Sequence, residues 1–209
     1  KRNKNGVKEI QFLPNLQLFL KGRFYSSITN TENVIAVVPN SDKNAPWLLI
    51  GAHYDHIGIT KSKVNCGADD NASGTAALMV LAKNFAKNGN NTKFNLMFIA
   101  FSAEERGLFG SKYFIYSSLF SPNISGMINL DMVGRPDNPD YDHNYVYLSI
   151  PRRGKNTFKK VMHSTKVEEL TIVTKAPLME RILYKFGSDH FRFHRAGIPI
   201  AVLYTGLHK

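Results

Sequence analysis

Cysteine occurs once in this 209-residue chain, at Cys66, so no disulfide can form within it. A single thiol also fixes no redox compartment. Long hydrophobic runs are missing: none approaches the roughly 18–20 apolar residues that cross a bilayer, and no membrane span is expected. The start, Lys1-Arg2-Asn3-Lys4, is basic but leads into no apolar signal core, so any targeting segment is expected to lie outside this sequence. Three catalytic signatures are missing as well. There is no His-Glu-x-x-His helix, no Gly-x-Ser-x-Gly elbow and no phosphate-binding Gly-Lys-Ser/Thr loop. Acids are scarce, 16 Asp and Glu against 27 Lys and Arg, for a formal charge of +11. That excess would suit nucleic acid, but the basic residues are scattered. Their modest clusters, at the N-terminus and at Arg152, Arg153, Lys155, Lys159 and Lys160, accompany no nucleic-acid motif. A solvated basic surface is the expected reading.

What is present is a full core's worth of apolar residues, 43% of the chain, enough for one domain. Residues 1–32 are polar and mixed, with an apolar patch at Leu16–Leu20 that reads as a candidate edge strand. From there short β-branched or apolar runs alternate with helical periodicity. Val34–Val38, Trp47–Ala52, Phe94–Phe101, Met127–Val133, Tyr145–Ile150 and Ile198–Tyr204 are expected strands, and Ile57–Asn65 a loop. Leu78, Leu81, Ala82 and Phe85 share one helical face after Ser73, with Asp70 or Ser73 as the cap and Asn88-Gly89 as the stop. Further helices are expected over Glu105–Phe114, Asn156–Thr165 and from Ser188-Asp189 to Arg195, while Glu168–Thr174 is ambiguous. Such alternation predicts an α/β fold: a three-layer sandwich with a mixed, mostly parallel sheet and helices on both faces.

The scarce acids gather where apolar runs end. Trp47–Ala52 leads into His53-Tyr54-Asp55-His56, Asn95–Phe101 into Glu104-Glu105, and Met127–Leu130 into Asp131. Cys66-Gly67-Ala68-Asp69-Asp70-Asn71-Ala72-Ser73-Gly74 places two carboxylates just before a helix. In open α/β sheets ligands bind at the carboxyl ends of the strands. Imidazole and carboxylate converging there suit zinc or another divalent cation. Each motif has a plainer reading: acids favour helix N-termini, and His-x-Asp alone is more often a satisfied surface pair. Two caps in succession are less needed, and a charge closing an apolar strand is costly without a partner. Adjacent carboxylates allow one to hold a metal while the other moves a proton. Cys66 as a nucleophile is disfavoured, since anionic neighbours raise a thiol's pKa.

In order along the chain, His53-Tyr54-Asp55, Gly67–Gly74, Phe101-Ser102-Ala103-Glu104-Glu105, Asn129–Gly134, Gly187-Ser188-Asp189-His190, Gly197-Ile198-Pro199 and Tyr204–His208 resemble one family. It is the co-catalytic zinc aminopeptidases of the bacterial leucyl aminopeptidase and aminopeptidase Y type. The likeness runs from about Asn33 to the end, implying a zinc-dependent exopeptidase-like domain over 33–209 and leaving 1–32 unassigned. It implies two Zn²⁺, with His53 and Asp131 on the first, Asp69 bridging both and Glu105 on the second. It further implies Glu104 as general base, Asp55 orienting His53, and a cis peptide between Asp69 and Asp70. The fifth ligand it implies is a histidine just beyond Lys209, so the natural sequence is expected to continue; His208 lies upstream of that position. By the same resemblance the substrates are peptides with a free N-terminus and the location secreted or periplasmic, with no nucleic-acid partner. Two alternatives share the fold: a glutaminyl cyclase-like acyltransferase with one zinc, and a non-catalytic binding module. The paired Asp69-Asp70 favours the peptidase over the first, and intact Glu104 argues against the second.

Overall fold

The structure is a computed structural model that describes residues 8–13, 16–20, 29–117, 123–136, 145–158, 170–174 and 187–206. The chain divides into two compact units, Lys1–Asn30 and Thr31–Lys209. In the first, β1 (Lys8–Leu13) pairs antiparallel with β2 (Leu16–Leu20), so the apolar patch of the sequence is a strand, opposite Lys8 to Leu13.

The second unit is built on a sheet with seven described strands. These are β3 (Val34–Val38), β4 (Trp47–His53), β7 (Asn95–Phe101), β8 (Ile124–Leu130), β9 (Tyr145–Ser149), β10 (Thr171–Val173) and β11 (Ile200–Tyr204). Their order is β10-β9-β11-β8-β4-β7-β3. The four central strands, β11, β8, β4 and β7, run parallel, β10 is parallel to β9, and antiparallel pairs occur at β9–β11 and β3–β7. The mixed, mostly parallel α/β sheet read from the sequence is therefore the observed one. A short hairpin, β5 (Ile59–Thr60) with β6 (Lys63–Val64), occupies the stretch expected to be loop.

Side chains alternate across the strands, and the two faces collect separate cores. Leu49, Met97, Ile99, Phe101 and Met127 face one way, packed with Phe114 of α2 (Phe109–Tyr116) and Phe193 of α3 (His190–Arg195). Ile50, Ala52, Leu96, Phe98 and Leu130 face the other way, against Leu78, Leu81, Ala82 and Phe85 of α1 (Gly74–Asn88). Each fully buried Leu, Ile, Met or Phe among these contributes roughly 1.5–3 kcal/mol, so the sheet's two cores fix which strand ends meet. Gly89, at φ 80°, ends α1 as expected. Helix α2 starts later than the sequence suggested, at Phe109 instead of Glu105. Its preceding residues turn instead, with the Gly107 and Leu108 amides both donating to the Glu104 carbonyl (2.9 Å each) and Leu108 left-handed at φ 60°. Of the expected helix at 156–165, residues 155–158 are helical and those from 159 lie outside the described residues, as does His208. Among the described residues no helix is long and apolar enough to cross a membrane.

Candidate metal centre

The register of the central strands fixes the site. In β4, His53 stands opposite Phe101 of β7, and Gly51 opposite Asn129 of β8, so all three strands end on the same edge. Past each end the backbone turns sharply. Ala103 (φ 53°) precedes Glu104, and Met132 (φ 55°) follows Asp131. Left-handed backbone at a non-glycine residue costs about 1–3 kcal/mol and persists where its surroundings enforce it.

Those surroundings are visible. Both oxygens of Asp55 accept backbone amides, from Glu104 (3.0 Å) and Glu105 (3.2 Å), tying the second acid pair to the end of β4. Asn71 ties the first acid pair to the end of β8. Its amide donates to the Leu130 carbonyl (2.9 Å), and its oxygen accepts the Gly74 (3.0 Å) and Met132 (3.1 Å) amides. Ser73 holds the N-cap position of α1 as expected but makes no side-chain capping bond; Asn71 Oδ1 receives the Gly74 amide in its place, and the Ser73 hydroxyl donates to the Asp69 carbonyl (2.6 Å). A side chain at Gly74 would strike Asn71 Oδ1 and the Leu130 carbonyl, so only glycine lets the helix begin this close to the sheet. Met132 is held from the other side, its carbonyl accepting both the amide (2.8 Å) and hydroxyl (2.7 Å) of Thr205.

Within this frame His53 is buried, and its ring is turned by the main chain. Nδ1 lies 3.0 Å from the Asp55 carbonyl and 3.7 Å from the Asp55 carboxylate, which leaves Nε2 facing Asp70 Oδ1 (3.2 Å) and Asp131 Oδ1 (3.5 Å). His56 Nδ1 lies 3.1 Å from Glu105 Oε1. Among the described residues two groups of possible ligands result, His53–Asp70–Asp131 and His56–Asp70–Glu105, each with its donor atoms within 4.8 Å of one another.

The sequence put the shared carboxylate at Asp69; the structure puts Asp70 there. Asp69 is turned aside, its Oδ1 accepting the Gly134 amide (2.9 Å) and its Oδ2 lying 4.0 Å from Arg135 Nε. The backbone between them decides this. Ala68–Ser73 is a kinked turn in which Asp70 (φ −103°, ψ 92°) and Asn71 leave helical geometry, so simple alternation does not tell which acid faces inward. The cis peptide likewise lies one residue later than expected, at Asp70–Asn71. His53, Glu105 and Asp131, also named from the sequence, each fall in one of the two groups. Asp55 reaches His53 mainly through its carbonyl, while its carboxylate orients the Glu104-Glu105 backbone. His56 was passed over, although it closes the His53-Tyr54-Asp55-His56 run; Asn71 was also missed.

Electrostatics follow from burial and crowding. Burial pushes the Glu104 carboxyl up to about 8; His53 pulls it down, and Asp189, Asp131 and Glu105 push it up again. Asp189, completely buried, is pushed up by burial to about 7, with the Ser111 hydroxyl and His53 opposing and Asp131 and Asp55 adding. Burial alone would lower His53, yet hydrogen bonds to Asp131, Asp55 and Asp70 hold its imidazole well above the usual range. For Asp55 burial is again the largest influence and raises it, but His53 and the Glu104 and Glu105 amides outweigh it and hold the carboxyl low. Glu105 is raised by burial and then by Asp70. Acids held against their ionisation around a buried imidazole form a cluster short of positive charge. The donor set fits a zinc-type cation: imidazole nitrogen and carboxylate oxygen, with His56 Nδ1 and Glu105 Oε1 buried and, among the described residues, without hydrogen-bond partners.

Comparison with known proteins places the chain. The model of peptidase family M28 matches residues 33–208. A relative described as leupeptin-inactivating enzyme 1, from Streptomyces exfoliatus, is 34% identical over 185 residues, 88% of this chain and 38% of its own length. Among solved structures, an aminopeptidase from Aneurinibacillus sp. strain AM-1 is 30% identical with a TM-score of 0.59, covering 85% of this chain and 40% of that one. A zinc aminopeptidase from Bacillus subtilis is 26% identical with a TM-score of 0.60, covering 83% and 40%. The chain spans about two fifths of the length of the relatives it matches.

Proposed function

The chain belongs to peptidase family M28, and on that premise we propose that it is a zinc aminopeptidase that hydrolyses the N-terminal residue from peptides. The observation that carries this reading is one convergence. His53, Asp70 and Asp131 meet at the carboxyl edge of the sheet with Glu105 beside them, and buried Glu104 hangs from the same anchored turn. In this reading His53, Asp70 and Asp131 would hold one Zn²⁺ and Asp70 with Glu105 a second, so that Asp70 takes the place expected for Asp69. Bound there, zinc would supply Lewis acidity for polarising a peptide carbonyl and acidifying water.

The chain's own residues do the rest. Glu104 accepts a proton from the attacking water and returns it to the leaving amine, the general-base role expected from the sequence. Its burial favours the first half of that exchange, since a carboxylate whose pKa is raised is the stronger base for taking the proton from water. With cations bound beside it, Glu104 would start in the ionised form that the step needs. Asp55 keeps Glu104 and Glu105 in place through their backbone amides and His53 through its carbonyl, so one residue aligns a base and two ligands. Asp131 and Asp70 counter the charge of the cations. Peptides with a free α-amine are the proposed substrates, and a secreted or periplasmic location accompanies the reading by family membership.

The test is an aminoacyl-anilide panel run with chelator and then with Zn²⁺ restored. Release of the aniline that chelator abolishes and zinc returns supports the proposal. Cyclisation of N-terminal glutamine without release of amino acids points to the acyltransferase. Zinc binding with no turnover on any substrate points to a binding module.

A further inference from the structure

The two candidate ligand groups are built alike: one imidazole and two carboxylates, with Asp70 common to both. His53 accounts for the first imidazole. We propose that His56 is a metal ligand, its Nδ1 joining Asp70 and Glu105 to hold the second ion. This rests on the two-ion reading above.

Three observations carry it. His56 Nδ1 approaches Glu105 Oε1 to 3.1 Å, yet no hydrogen bond joins them, and both atoms are buried. An ordinary histidine–glutamate pair would turn the ring N–H onto the oxygen. Here the nitrogen and the oxygen are close without pointing at each other, as two electron-pair donors do when both face a third position. Asp70 supplies the third donor, with all three ligand atoms within 4.8 Å of one another. A simple ion pair has no use for that second carboxylate.

The third observation is that the position of His56 is fixed from two sides. A Cβ on Gly67 would lie 2.9 Å from both Cβ and Cγ of His56, so the loop before the acid pair closes tightly over the imidazole's base. Its chain neighbour Asp55 holds the Glu105 amide through Oδ2 (3.2 Å). The Tyr54 amide is itself pinned to the Phe101 carbonyl (3.0 Å). The segment that carries His56 is thus the one that positions Glu105, and the imidazole and carboxylate reach the site as a unit. Preorganised donors of this kind are what a binding site needs before its ion arrives. The assignment does not depend on the later histidine that the family resemblance implies.

The experiment is Co²⁺ titration of the 209-residue chain, followed by calorimetry and visible absorption, for the wild type, His56→Ala, His53→Ala and Glu105→Ala. The wild type is expected to take up two ions. His56→Ala should keep one at wild-type affinity and bind the other at least about tenfold more weakly, matching Glu105→Ala, while His53→Ala weakens the other ion. A readout on the unaltered protein guards against a variant that fails to fold. With ¹¹³Cd²⁺ bound and histidines ¹⁵N-labelled, His56 Nδ1 should show direct coupling to cadmium. Two ions of unchanged affinity in His56→Ala, or no coupling at His56, overturn the assignment while leaving the two-ion reading intact. Uptake of one ion by the wild type, indifferent to Glu105→Ala, overturns the two-ion reading and this assignment with it.

Discussion

The two ends of β4, β7 and β8 bury polar groups in opposite ways. At the starting end, Asn95 is buried and its side chain is used up by the main chain. Its oxygen accepts the Asn40 amide (2.8 Å), and its amide group donates to the Ala45 carbonyl. The backbone there closes in the same manner, Trp47 N–H onto the Asn123 carbonyl (2.8 Å) and Asn95 N–H onto the Pro46 carbonyl (2.9 Å). At the finishing end, His53, Glu104 and Asp131 are buried as ionisable groups crowded against one another. There the backbone is left-handed at Ala103 and Met132. Paired amides at one end hold the fold; acids at the other are disposed around an imidazole with a net want of positive charge. Buried polarity that the protein satisfies by itself reads as structure, and buried polarity that it leaves wanting a cation reads as function.

The largest expected break is at Asp70. Asp70→Asn replaces the carboxylate common to both ligand groups with a neutral amide, and should abolish metal binding and with it turnover. Asp69→Asn, one residue earlier, should keep both, because Asp69 serves the Gly134 amide and not the cluster. Metal analysis of the two variants decides the matter, and a reversed result would return the bridging role to Asp69. Next is Glu104→Gln, expected to drop turnover by about 10²–10⁴-fold with metal content unchanged. Near-normal turnover in that variant, with metal bound, removes Glu104 from the proton transfer.

The Asp69 and Asp70 variants also mark how far the sequence could be read. Strands β3, β4, β7 and β8 were legible because each is a short apolar run ending in turn or polar residues, and α1 because Leu78, Leu81, Ala82 and Phe85 keep helical spacing. The convergence of His53, Glu105 and Asp131 was legible because parallel strands deliver their ends to one edge. The choice between Asp69 and Asp70 was not, since it depends on a kink at Asp70 and Asn71 that no periodicity reports. Nor was the late start of α2, where Arg106-Gly107-Leu108 turns through a left-handed residue and the Gly107 carbonyl accepts from Arg192 (2.9 Å), far along the chain. His56 carries no signal beyond its place in a run, because a histidine three residues after another becomes a neighbour of Glu105 only once β4 and β7 pair. Antiparallel pairing of β3 at the sheet edge has no sequence mark either.

A smaller effect sharpens the same contrast through pH. In the metal-free folded chain Glu104 is raised to about 8 and Asp189 to about 7, and Glu105 and His53 are also raised. A raised group stabilises the fold below its unfolded value and loses that contribution as pH climbs through its folded value. Glu104, Glu105 and Asp189 therefore weaken the metal-free fold as pH rises from about 4 towards 8, and His53 adds to this only above its ordinary value of 6.5. Asp55, held low, acts in the opposite sense, its contribution lost only as pH falls below the ordinary carboxylate range. With chelator present the chain should melt at a lower temperature near pH 8 than near pH 5, and Zn²⁺ should close most of that gap by taking the place of the protons. A metal-free melting temperature that is flat or rises over this interval would show that the acid cluster is not under the strain described.

The smallest effect belongs to the starting end. Asn95→Ala leaves the Asn40 amide and the Ala45 carbonyl without their partner in a buried setting, which should cost about 1–3 kcal/mol of stability. Denaturant unfolding measures that loss directly. Because Asn95 sits at the opposite end of β7 from Glu104 and Glu105, the folded variant should bind metal with wild-type affinity and turn over substrate at the wild-type rate. Asn95→Asp makes the control: it keeps the acceptor for the Asn40 amide but sets a buried carboxylate oxygen against the Ala45 carbonyl, and should cost at least as much stability as Asn95→Ala. If either variant instead sheds metal while remaining folded, the two ends are coupled through the strand. The division between an end that holds the fold and an end that does the chemistry would then have to be given up.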